Sequence, residues 1–131
     1  MSRTVLTVDD SRTMRDMLHM ALTDAGFRVL QAVDGVHGLE MLEADDAPDV
    51  IITDINMPDV NGLELIHFIR RSEQYRTTPL VIISTQATER DVERGKKLGA
   101  DAYVPKPFSP DLMRETCARL LGTAPPAVSD G

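Results

Sequence analysis

The chain has 131 residues, enough for one hydrophobic core and one domain rather than two. Its 42% hydrophobic and 27% charged content is that of a globular protein, while two Tyr, three Phe and no Trp are too few for a base-stacking surface or a flavin site. A net charge of −7 argues against nucleic acid as a partner, because binding phosphates needs a positive surface, and an anionic membrane would repel the chain as well.

The chain opens on Met1-Ser2-Arg3-Thr4 and runs straight into a strand-like segment at 5–8, Val-Leu-Thr-Val, closed by Asp9-Asp10. No secretory leader and no bilayer-spanning apolar stretch is read there, and Cys117 is the single cysteine, so the expectation is a reducing, cytoplasmic setting. Met14, Met17, Leu18, Ala21, Leu22 and Ala25 follow helical spacing and predict one buried stripe, with Asp10 or Ser11 as the cap and Gly26 as the stop. A second strand is predicted at 27–32, and a second helix carries Val36, Leu39, Leu42 and Glu43 behind Asp34 as cap. The third strand, 50–53, reads Val-Ile-Ile-Thr and ends at Asp54. Its helix is entered through Asn61-Gly62 and marked by Leu65, Ile66 and Ile69.

The fourth strand, 80–84, ends at Ser84. The helix after it, around 87–98, has few apolar anchors and an internal Gly95, so few buried contacts hold it. A short strand at 102–104 leads to Lys106, framed by Pro105 and Pro107. The last helix runs from about 110 to 121, with Leu112, Met113, Cys117, Leu120 and Leu121. Five βα units with nearly continuous apolar strands predict an α/β fold, a (βα)5 doubly wound parallel sheet covered by helices on both faces. One domain over 1–122 and a polar, Pro-rich tail over 123–131 are expected.

The chemistry-bearing residues stand at strand ends. A carboxylate at a strand tip, such as Asp54, suits a site outside the carboxyl edge of a parallel sheet better than a core. One acid would cap a helix; the adjacent pair Asp9-Asp10 adds repulsion that something positive must offset. If the first and third strands are neighbours, Asp9, Asp10 and Asp54 converge, and a hard cation such as Mg²⁺, or Mn²⁺, would relieve the crowding. Lys106 supplies a compact point charge for a phosphoryl group, and the Ser84 hydroxyl a donor. His19, His37 and His67 fall on separate helices without ligand spacing.

Taken together, Val8-Asp9-Asp10-Ser11, Asp54-Ile55-Asn56-Met57-Pro58, Asn61-Gly62-Leu63-Glu64-Leu65, Ser84, Tyr103 and Lys106-Pro107-Phe108 resemble the receiver domain of bacterial response regulators, of the single-domain chemotaxis (CheY-like) type. The resemblance implies the flavodoxin/CheY-like strand order 2-1-3-4-5, the order already known for that fold. It implies that Asp54 accepts a phosphoryl group from a histidine kinase, and that Asp9, Asp10, Asp54 and the backbone carbonyl of Asn56 hold Mg²⁺. Lys106 and Ser84 would contact the phosphoryl oxygens, with Ser84 and Tyr103 acting as switch residues. The face made by the fourth helix, fifth strand and fifth helix would bind a protein such as the flagellar motor switch. The implied protein is a monomeric signalling switch rather than an enzyme, with self-catalysed phosphoryl transfer and slow autodephosphorylation only. A phosphate sink or a phosphorelay intermediate is the alternative. An aspartyl-phosphate phosphohydrolase is disfavoured, because Asn56 stands where such enzymes carry a second, proton-donating acid. Thr85 follows Ser84 where many receivers have a smaller residue.

Overall fold

The computed structural model describes residues 3–44, 48–55, 57, 61–84, 89–106 and 108–122, with the backbone alone at 91. Asn56, Thr85, Pro107 and the tail at 123–131 therefore lie outside the described residues. Strands and helices alternate throughout: β1 (Thr4–Val8), α1 (Arg12–Asp24), β2 (Arg28–Ala32), α2 (Gly35–Glu43), β3 (Val50–Asp54), α3 (Gly62–Arg71), β4 (Leu80–Ser84), α4 (Glu89–Leu98), β5 (Ala102–Pro105) and α5 (Pro110–Leu120). The strands form one parallel sheet in the order β2-β1-β3-β4-β5. The order reverses between β1 and β3, which opens a crevice at their carboxyl ends.

Alternate side chains of each strand enter different cores. Leu6, Val8, Ile51, Leu80 and Ile82 pack with Leu42 of α2 and Leu65, Ile66 and Ile69 of α3. Val5, Val50, Ile52, Val81, Ile83 and Val104 pack on the opposite face with Leu18 and Leu22 of α1 and Met113 and Cys117 of α5. Burial on both faces is why β3 and β4 have no exposed position and read as nearly continuous apolar runs.

Local signals set the helix boundaries. Ser11, rather than Asp10, caps α1, its hydroxyl accepting from the Met14 N–H. Asp34 caps α2 through the His37 N–H at 2.8 Å. Asn61 and Glu64 form a reciprocal capping box on α3. Gly26 takes a φ of 93° just past α1, as a C′ residue does. One expectation needs correction: Met17 is 42% exposed. The buried residues are Leu18, Ala21 and Leu22, and Met17 stands about a quarter turn from the middle of that stripe.

The carboxyl end of α3 is fastened by Arg70. Its guanidinium donates to the carbonyls of Gly99 at 2.9 Å and Thr78 at 2.7 Å, and pairs with Asp101 at 2.9 Å. Asp101 in turn accepts the N–H of Leu80, the first residue of β4. One side chain thus joins α3, the entry to β4 and the α4–β5 turn. The rest of α4 is lightly held: among its described side chains Val92 and Leu98 are partly buried, and buried Gly95 lies flush on Ile82, where an added Cβ would collide with the Ile82 Cδ1.

Candidate functional site

Strand register brings the acids together. Val8 is paired with Thr53, so the residues that follow, Asp9 and Asp54, stand side by side at the switch point. Oxygens of Asp9, Asp10 and Asp54 all lie within 4.8 Å of one another. Their settings differ. Asp9 is fully buried, Asp54 is 7% exposed, and Asp10 faces solvent. The site is therefore walled on two sides and open on one.

Asp9 is held by its own chain: its Oδ1 accepts the Ser11 N–H at 2.8 Å, and its carbonyl accepts from Arg15 at 2.8 Å. Its other oxygen, Oδ2, has no hydrogen-bond partner among the described residues. The Lys106 ammonium lies 2.8 Å from that oxygen, within ion-pair range but off hydrogen-bond alignment. The same ammonium donates to Asp54 Oδ2 at 3.2 Å. Lys106 thus bridges two of the three acids. Burial would lower its pKa, but contact with Asp9, and then with Asp54, outweighs burial and holds it above its ordinary value of 10.5.

With all three carboxylates ionised, one lysine leaves two negative charges uncompensated around an underused buried oxygen. Hard oxygen donors with that charge fit a divalent cation of the magnesium type. Asn56, the fourth expected ligand, lies outside the described residues.

Ser84 ends β4 and is buried. Its carbonyl accepts from the Lys106 N–H at 3.1 Å and also from the Tyr103 hydroxyl at 3.1 Å. Tyr103 is half-buried on β5, and its hydroxyl is bonded to protein rather than to water alone.

Two further residues shape the site. Gly62, at the start of α3, is pressed onto the acceptor strand: an added Cβ would clash with the Asp54 carbonyl oxygen and lie 2.8 Å from the Ile55 Cα. The Gly62 N–H also closes the turn onto the Ile55 carbonyl at 2.9 Å. Arg15, one turn into α1, steadies Asp9 through the backbone. The Asn-Gly pair marks the entry to the helix, but not the close approach of Gly62 to the strand. Nothing local marks the role of Arg15.

Comparison with known proteins points to one family. The response regulator receiver domain model matches residues 5–118. The chain is 38% identical over 120 residues to the chemotaxis protein CheY1 of Helicobacter pylori, covering 91% of this chain and 97% of that one. It is equally similar to the chemotaxis protein CheY homolog of Campylobacter jejuni, at 38% identity with 91% and 92% covered. Among solved structures, the chemotaxis protein CheY4 of Vibrio cholerae superposes with a TM-score of 0.86 at 36% identity, over 92% of this chain and 99% of that one. An acid triad and a lysine at the strand ends, on a sheet of this order and with these likenesses, identify the chain as a member of the response regulator receiver domain family.

Proposed function

We propose that this chain is a phosphorylation-controlled signalling switch in which Asp54 accepts a phosphoryl group from a phosphohistidine on a sensor kinase. The observation that carries the reading is the setting of Asp54, which is 7% exposed at a strand tip, held by Lys106 at 3.2 Å and close to two further acids. Receiver domains are signalling proteins rather than classical enzymes, and this one would catalyse only its own phosphoryl transfer and a slow autodephosphorylation. An Asp54 oxygen attacks phosphorus in line. The phosphorus–nitrogen bond breaks as the phosphorus–oxygen bond forms, and the imidazole leaves with the electron pair and takes a proton from solvent. Lys106, already beside Asp54, would pair with the transferred phosphoryl oxygens, and the Ser84 hydroxyl would donate to one of them.

Asp9, Asp10 and Asp54, with the Asn56 carbonyl, would hold Mg²⁺, or Mn²⁺ in its place. When bound, the cation would neutralise charge on the phosphoryl oxygens. Residues 1–122 are assigned to this phosphoacceptor domain and 123–131 to a tail. No helix among the described residues is long and apolar enough to cross a membrane. The proposed switch is a cytoplasmic monomer, a reading supported by the likeness to single-domain chemotaxis proteins.

The output would be a change at the face of α4, β5 and α5, with Ser84 and Tyr103 as the moving parts. The proposed partner is the flagellar motor switch, a choice supported by relatives named as chemotaxis proteins. Intact mass spectrometry after mixing with a phosphorylated kinase tests the first step: one acid-labile phosphoryl adduct is expected, mapping to Asp54 and lost in Asp54→Asn. An adduct elsewhere, or one that survives the substitution, overturns the reading. Pull-downs with and without beryllofluoride test the output. A phosphate sink would retain the kinase and show no phosphate-dependent partner.

A further inference from the structure

Helix α4 separates two clefts of opposite charge. On its β5 side a cleft of about 490 Å³ is lined by Glu89, Val92, Glu93 and Tyr103. On its α3 side a groove of about 690 Å³ has an apolar floor of Leu39, Leu63, Phe68 and Leu98 and a rim bearing Arg71 and Arg94. Phe68 is 37% exposed there.

Among the described lining residues of the second groove, cations outnumber acids two to one. The acid among them, Glu64, is oriented toward the α3 cap, with its Oε1 accepting the Asn61 N–H at 3.1 Å. Among the described residues, the polar contact of Arg71 is with the His67 ring, at 3.5 Å, which supplies no negative charge. Arg94 has neither a hydrogen bond nor an ion pair among the described residues. A cationic, apolar groove on a chain of net charge −7 is a local inversion of sign that stability does not require.

We infer that the α3–α4 groove docks an acidic segment of a partner protein, with an apolar anchor on the Leu63–Phe68 floor and carboxylates on Arg71 and Arg94. Guanidinium groups pair bidentately with carboxylates, and the desolvated floor supplies the anchoring contact. The groove is open along one side. An occupant there keeps a face in water, as an amphipathic peptide does, whereas small-molecule sites engulf their ligand. Such a partner is distinct in chemistry from one on the β5 side of α4, where Glu89 and Glu93 would repel it.

The test is an amide NMR titration of the full chain with two capped peptides of the same Leu and Phe pattern, one filled out with glutamate and one with lysine. Decanoate serves as a small amphiphile for comparison. The glutamate peptide should move the amides of 63–71 and 94–98, and Arg71→Ala/Arg94→Ala should weaken it about tenfold. The inference is overturned if neither peptide perturbs the groove, if the lysine peptide binds equally well, or if the double variant binds unchanged. It is also overturned if decanoate displaces the peptide, which would make the groove a small-amphiphile pocket. Beryllofluoride loading of the double variant should match the parent, which separates loss of docking from failure of the phosphoacceptor reading.

Discussion

Lys106→Met tests what holds the acid cluster together in the absence of metal. At 2.8 Å from Asp9 and 3.2 Å from Asp54, the ammonium gains about 6 and about 5 kcal/mol of gross Coulomb energy at an effective dielectric constant of roughly 20. Desolvating three charged groups offsets most of that gain. Removing the lysine leaves two buried carboxylates facing each other, which costs about 3–5 kcal/mol for a sealed pair. Here Asp10 opens one side to water, so a net loss of about 2–3 kcal/mol is expected. With an unfolding entropy of about 2.1 cal/mol/K per residue, that is a fall of roughly 7–11 °C in Tm. The assay is thermal unfolding in chelator, repeated with saturating Mg²⁺. The cation should recover most of the loss, and the Mg²⁺-induced rise should be larger in the variant than in the parent. A double-mutant cycle with Asp54→Asn should show coupling of about 1 kcal/mol or more. An unchanged Tm in chelator, or coupling below about 0.5 kcal/mol, would refute the view that Lys106 holds the acids.

Three further outcomes follow from the packing. Gly62→Ala should destabilise by about 2–3 kcal/mol, because its new methyl meets backbone that no rotamer can move aside; chemical denaturation measures this, and beryllofluoride affinity should fall with it. Arg70→Ala should cost about 2–4 kcal/mol, since the carbonyls of Gly99 and Thr78 and the Asp101 carboxylate lose a charged donor together; hydrogen exchange should rise first at the α4–β5 turn, and a cost under 0.5 kcal/mol, roughly the surface-substitution range, would contradict the fastening role. Burial pushes the Cys117 thiol up to about 12 from 9.0. The unfolded chain then releases its proton first, so stability should decline as pH rises from about 9 towards 12, and Cys117→Ala should flatten that decline. The native thiol should also resist alkylation at pH 8, and prompt labelling there would contradict its burial.

Most of the site was legible because it is built from strand ends. Nearly continuous apolar runs mark β1, β3 and β4, and each run stops at a residue with chemistry: Asp9-Asp10, Asp54, Ser84. Parallel topology then forces those ends to one edge. What escaped notice is carried by contacts between distant segments. Arg70 reaches 29 residues along the chain to Gly99 and 31 to Asp101, and no periodicity encodes an arginine that satisfies backbone carbonyls. The close approach of Gly62 to Asp54 depends on how α3 enters, and the spacing of an Asn-Gly pair does not reveal a missing Cβ's neighbours. Lys106 lies between two acids, and the same charge suits the phosphoryl oxygens expected of it. Met17 falls outside the buried stripe of α1 because an apolar stripe about one hundred degrees wide excludes a residue a quarter turn away, even at helical spacing.

The carbonyl of Ser84 receives two donors, the amide of the lysine that touches the acids and the phenol on the outer edge of the sheet. Any tilt of that one peptide plane changes both bonds in the same instant. Under the proposed function, crevice and sheet edge would then be coupled through one shared acceptor atom, with Ser84 and Tyr103 moving together.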